Sequence, residues 1–199
     1  MALSLTTAPT TEPLSLAQVK AALQIDHTVA AARIEAFVLP PARMLADPIA
    51  RRACCEQTWT LTLSHGFGRG GPIYLPRPPL SSVTSISYID SDDATQTWAA
   101  SKYTVTAPSG DYAGYGSIRP ADGESYPSTR GLVDDVTIVY VAGYGATAAS
   151  VPAGLRAAIE LLCRYQFGDL DPKDQQAALA TAMTVIGPWR APNVALRMD

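Results

Sequence analysis

The sequence predicts an α+β fold: a small helical bundle built from the N- and C-terminal helices, with an inserted antiparallel β module. Three observations predict it. Apolar residues recur at helical spacing near the N-terminus (Leu16, Val19, Leu23) and again near the C-terminus (Leu155, Ala158, Ile159, Leu162). Neither set is long enough to bury its face alone, so the two sets are expected to pack together. Between them lie β-branched, partly alternating runs, Gln57–Leu63, Val83–Tyr88 and Asp134–Ala142, of the kind that forms strands with one buried face. Pro76, Pro78 and Pro79 join the short run Ile73–Leu75 to the longer one after it. Proline fixes φ and removes a backbone donor, so this junction is a corner of the module and not part of a ladder.

Taken in order, residues 1–55 read as an N-terminal arm and helices. Residues 1–12 are small and polar and predict a mobile arm. Ser15 and Gln18 have capping-box spacing, with Leu14 and Val19 placed as a hydrophobic staple, so a first helix should run to about Gln24. Asp26 is placed to cap a second helix through Val38, burying Ala30, Ile34, Phe37 and Val38. Pro40 and Pro41 should break it, and Asp47 before Pro48 looks like a fresh cap, leaving one or two short helical turns over 41–55. Residues 56–149 read as the inserted β module, with strands expected at 57–64, 73–75, 82–90, 95–106, 115–119 and 134–142. Asp90, Asp92 and Asp93 should form a turn, and 110–131 an irregular loop. Residues 150–185 should return to helix from Pro152, stop at Gly168, and start again at Asp171 and Pro172. The remainder, 186–199, carries Pro188 and Pro192 and reads as an extended docking tail.

Composition bounds the chemistry. The chain has 199 residues, 47% of them hydrophobic and 17% charged, which suits a folded domain with its own core. A formal net charge of −3 gives no electrostatic footprint for nucleic-acid binding. No apolar run approaches the roughly 20 residues that span a bilayer, and the N-terminus lacks the basic region and cleavage site of a signal peptide. A cytoplasmic site of synthesis is the expectation. Cys54, Cys55 and Cys163 form no CxxC and no even-numbered framework, so buried thiols are expected.

Sites for catalysis, cofactors and metals are not legible. Gly66, Gly68 and Gly71 match the GxGxxG spacing, but strand and proline follow where a dinucleotide site needs a helix N-terminus, so a flexible hairpin tip is expected. His27 and His65 stand far apart without cysteine or acidic partners at ligand spacing, and both are expected at the surface. The acidic run at 90–93 lacks the glycine and distal glutamate of a calcium loop. The reading is a non-enzyme with no cofactor and no metal. The aromatic residues Tyr112, Tyr115 and Tyr126 cluster in the irregular loop, where they suit either an interface or the cover of the β module. In the tail, Trp189 and Arg190 are residue types enriched at interface hot spots. Pro188 restricts the unbound chain, and Val194, Leu196, Arg197 and Met198 supply apolar and basic anchors, so these seven residues are the candidate partner-binding set.

Several stretches, in one order, resemble the head–tail connector (adaptor) proteins of tailed bacteriophages and of phage-like gene transfer agents. They are PLSLAQVKAALQID (13–26), QTWTL (57–61), LPRPPLSSVTSI (75–86), VYVAGYG (139–145), the helix start at Val151 and Pro152, and IGPWR (186–190). Pro40 and Pro41 depart from the pattern, where such proteins run an unbroken helix. The resemblance implies a structural protein of the virion neck, assembled in the bacterial cytoplasm into a homo-oligomeric ring, usually of twelve subunits. Such a ring docks beneath the portal protein, extends the DNA channel and receives the next tail or neck protein, a stopper or terminator. DNA passes without sequence-specific binding, and no membrane is involved. Twelve subunits at −3 each carry a formal −36 together, a charge that repels phosphates and favours sliding. The competing readings are another virion module, such as a tail-completion or baseplate protein, and more distantly a small-ligand-binding or enzymatic β domain.

Overall fold

A computed structural model describes residues 1–25, 30–68, 70–167 and 171–192. They form two compact units, and the fold class is α+β. The helical unit comprises Pro9–Glu56 and Tyr144–Ala191; the β unit comprises Met1–Ala8 and Gln57–Gly143, with Pro192 among its described residues.

In the helical unit, α1 (Leu16–Leu23) opens on the expected capping box: the Ser15 hydroxyl accepts the Gln18 N–H (3.2 Å) and Gln18 Oε1 accepts the Ser15 N–H (2.8 Å). The expected cap at Asp26 lies outside the described residues, as does His27. α2 (Ala30–Phe37) gives way at Val38 directly to α3 (Leu39–Ala50). The prolines therefore separate two helices, as expected, but they also start the second. Pro40 and Pro41 fall in its first turn, where the missing N–H groups would have no intrahelical acceptor. The short turns expected over 41–55 are replaced by one helix of 12 residues. Asp47 does not cap a new helix at Pro48, which lies inside α3. Its carboxylate instead accepts the Cys54 N–H (2.9 Å) and faces the Arg43 guanidinium (3.4 Å), fastening the segment after the helix back onto it.

The centre of this unit is α4 (Ala153–Phe167), packed against α3 and α5 (Pro172–Ile186). Leu155, Ala158, Ile159 and Leu162 are fully buried, as are Ala42, Ala46 and Ala50, which keep α3 slim along one face. Leu14, Val19, Ile34 and Val38 join the same cluster, so helices from both ends of the chain share one core. Phe37 departs from expectation: it is 72% exposed, because Ile34 and Val38 already fill the inward face of α2. Gly168, read as a helix stop, is outside the described residues.

The three cysteines are buried and unpaired with one another. Burial, reinforced by the Glu12 and Asp47 carboxylates, pushes the Cys55 thiol up to about 12. Burial and the charges of Glu160 and Glu12 do the same for Cys163, also to about 12. A thiol pKa raised in the folded state stabilises the fold fully below about pH 9, and the contribution disappears as pH rises towards 12. Stability is therefore expected to fall by a few kcal/mol across that interval. Denaturant melts at pH 8, 10 and 11 check this, and thiol-labelling reagents at pH 8 should modify all three cysteines only after unfolding.

In the β unit, a five-stranded antiparallel sheet has the order β1-β2-β8-β4-β5 and a three-stranded one the order β3-β7-β6. Their ranges are β1 Ala2–Thr7, β2 Gln57–Leu63, β3 Ile73–Leu75, β4 Leu80–Ile89, β5 Thr95–Thr97, β6 Tyr103–Thr106, β7 Gly116–Pro120 and β8 Val136–Ala142. Strand β8 is central and alternates strictly, burying Val136, Ile138, Tyr140 and Ala142. The Tyr140 hydroxyl donates to the Pro76 carbonyl (2.9 Å), which ties the proline corner to the sheet. Gly116 sits where a Cβ would collide with Leu80, so only glycine lets β7 lie this close to the start of β4.

Two expectations fail here. Residues 1–12 are not a mobile arm, because Ala2–Thr7 pair in antiparallel register with β2 (Leu3 opposite Leu61, Leu5 opposite Trp59) and their backbone groups find partners there. The strand expected over 95–106 is two strands in two different sheets. Trp98, whose N–H donates to the Ile86 carbonyl (2.8 Å), and a 3-10 turn at Ala100–Lys102 carry the chain from one sheet to the other.

Candidate functional site

The C-terminal segment does not start extended at 186. Ile186 ends α5 as a fully buried residue, and Gly187–Trp189 form a 3-10 turn. Within the helical unit the Trp189 ring covers Gly154 at the start of α4, where a side chain would collide with it. The Trp189 carbonyl accepts from Arg52 Nε, and the Ala191 N–H donates to the Ala50 carbonyl (2.9 Å) at the end of α3. Trp189 is therefore half buried among its own helices. Pro188 and Arg190 stand exposed on either side of it. The remaining candidates, Val194, Leu196, Arg197 and Met198, lie outside the described residues. The sequence reading missed Gly154 and Arg52 as partners of this turn, and no spacing rule links positions so far apart in the chain.

The loop that follows Thr129 is set by one buried carboxylate. Asp135 accepts from Arg130 Nε (2.8 Å), the Leu132 N–H (2.6 Å) and Thr129 Oγ1 (3.3 Å), while Arg130 also pairs with Asp93 (3.1 Å). Desolvation opposes the charge on Asp135, but the Arg130 and backbone donors outweigh it and hold the carboxyl below the usual range. The loop presents Leu132 and Val133 to solvent. This arrangement rigidifies a tip; it supplies no nucleophile or base with an open face.

The remaining sequence candidates resolve as structural parts. Asp90 accepts the N–H groups of Asp92 (2.9 Å) and Ala94 (3.0 Å) and the Gln96 amide (2.8 Å), the geometry of a turn. The glycine loop before β3 is anchored, not a free tip: Phe67 between Gly66 and Gly68 is buried against Tyr88, Trp98 and Tyr126. His65 is exposed, with Nδ1 3.0 Å from the Gly131 carbonyl. The three loop tyrosines part company. Tyr126 belongs to the aromatic cluster, Tyr115 donates to the Pro192 carbonyl (2.9 Å), and Tyr112 is exposed. Among the described residues no group of His, Cys, Asp and Glu is arranged to hold a metal, and no helix is long and apolar enough to cross a membrane.

What the geometry defines is a helical bundle interrupted by an antiparallel β module, with exposed apolar tips and a C-terminal segment leaving beside Trp189. No family model matches the sequence, and no curated relative does. Solved structures match it from end to end. A chain of the native gene transfer agent particle virion is 20% identical, with a TM-score of 0.73 and complete coverage of both chains. A chain from the neck of the empty gene transfer agent particle, computed with C6 symmetry, is 20% identical at a TM-score of 0.75, covering 98% of this chain and 97% of that one. A chain from the neck of the native particle, computed with C12 symmetry, is 22% identical at 0.72 over the same shares. The chain shares its fold with these gene transfer agent chains over its whole length.

Proposed function

We propose that this protein is a structural component of a virion neck, the head–tail connector (adaptor) of a tailed phage or gene transfer agent. The observation that carries the reading is the end-to-end correspondence of this chain with chains of the gene transfer agent virion and of its neck. Fold alone is compatible with many functions. Three features of this chain support the same direction: the candidate residues for chemistry are absorbed into turns and cores, apolar side chains stand exposed at Phe37, Met44, Leu132 and Val133, and the net charge is negative.

In this reading twelve copies form a ring beneath the portal protein, extend the DNA channel, and present the surface on which the next neck protein, a stopper or terminator, assembles. The ring is built in the bacterial cytoplasm and works as scaffold and conduit, without catalysis. Its acidic balance lets DNA slide through. Pro188 and Arg190 flank the anchored Trp189, and Val194, Leu196, Arg197 and Met198 form the docking segment beyond it. Deleting the gene in a producing strain is expected to yield DNA-filled heads without tails, and complementation to restore whole particles. Normal tailed particles from the deletion strain would overturn the reading.

A further inference from the structure

The end of the five-stranded sheet at which β8 begins carries an apolar tip on a fastened backbone. Leu132 is 56% exposed and Val133 62%, and both sit in the turn that leads into β8. The backbone beneath them is held from both neighbouring strands. The Leu132 carbonyl accepts from the His65 N–H (2.7 Å), just past β2, and the Arg130 N–H donates to the Ile89 carbonyl (3.1 Å) at the end of β4. The Leu132 N–H is taken by the buried Asp135 carboxylate (2.6 Å), the Asp134 N–H reaches Ser64 Oγ (3.4 Å), and the Arg130 guanidinium reaches the Val133 carbonyl (3.4 Å). These bonds use the backbone and leave the two apolar side chains outside, so ordering that a partner would otherwise have to impose is already complete.

The tip is set in acidic surroundings. Asp90, Asp92, Asp93, Asp134 and Asp135 belong to this end of the sheet, and Arg130, the cation joined to them, is committed to Asp135 (2.8 Å) and Asp93 (3.1 Å). Five carboxylates against one guanidinium leave a formal −4, more negative than the −3 of the whole chain. Asp92, Asp93 and Asp134 are exposed, so an apolar centre has a charged rim, the composition of a protein interface. We infer that this tip docks into a different protein, one that offers an apolar socket bordered by lysine or arginine. Charge decides the class of partner. The rim repels nucleic-acid phosphates and anionic lipid headgroups. A second copy of this chain is a poor source of the basic border, because several of its arginines are committed within it. Arg33 and Arg77 lie over the Phe167 and Trp59 rings, Arg43 and Arg164 pair with carboxylates, and Arg52 holds the Trp189 carbonyl. Leu132 and Val133 supply the buried contact, and the opposed rims speed encounter and fix orientation. The inference rests on the proposed neck role only for the expectation that a protein partner exists.

The test places the photoreactive residue p-benzoylphenylalanine at position 132 of the full chain in a producing strain. The control carries it at the exposed Asp122, in the turn after β7. Irradiation of living cells should join the position-132 chain, and not the control, to one other protein, identified by mass spectrometry. In the same chain, Val133→Ser should lower the yield of that product about tenfold, and so should Asp92→Lys combined with Asp134→Asn, which shifts the rim by three charges. Asparagine suits the left-handed backbone at position 134 (φ 57°), and all three side chains are exposed, so the variants should melt like the parent. Attachment to a second copy, attachment to no protein, or the same product from position 122 would overturn the inference. So would a yield that the rim variant leaves unchanged, or a lowered melt, which would show the tip packed into its own fold. A product formed in cells by a chain that is absent from purified particles would remove the neck reading and keep this contact. A chain present in particles but not cross-linked would do the reverse.

Discussion

Trp189→Ala is expected to destabilise the isolated protein by about 3 kcal/mol, because it strips a large ring from the surface of Gly154 and leaves a hollow that glycine cannot fill. The turn that holds the ring also carries the Arg52 and Ala191 hydrogen bonds, so the C-terminal end of α3 should loosen with it. Urea unfolding followed by far-ultraviolet circular dichroism measures the loss. A change below about half a kcal/mol would mean that the ring contributes nothing to its own helices and is free for a partner. Truncation after Pro192 should leave the melt nearly untouched while removing the docking segment. The two variants thus separate a folding role for Trp189 from a binding role for the residues beyond it.

Asp47→Ala should cost more, about 3–5 kcal/mol. The substitution leaves the Cys54 N–H without its acceptor in a buried site and takes one of two carboxylates from the nearly buried Arg43, whose other partner is Glu12 at 2.8 Å. Asp47→Asn keeps an oxygen for Cys54 and should recover part of the loss. Equal melting of the alanine and asparagine variants would show that the Cys54 hydrogen bond carries none of the effect. Native-state hydrogen exchange at Cys54 provides the local measurement: its amide should be protected in the parent and asparagine variant and exchange early in the alanine variant.

The chain's local instructions were plain where a single segment satisfies its own backbone. The capping box at Ser15 and Gln18, the apolar stripe of α4 and the strict alternation of β8 are each complete within a few residues, and each takes the form that its pattern predicts. The α+β class follows from them, and the burial of all three cysteines was legible separately, in their lack of any ligand or disulfide spacing. The tertiary structure decided whatever depends on a partner distant in sequence. Ala2–Thr7 becomes a strand because β2 supplies its hydrogen-bond partners; alone, six small residues lack the buried area to offset the entropy of ordering them. Trp98 looked like a residue within one long strand, yet it marks the crossing between two sheets, since pairing and not propensity sets where a strand ends. Trp189, an interface residue by type, is claimed by Gly154, a glycine whose missing side chain has meaning only once α4 and the C-terminal turn are brought together.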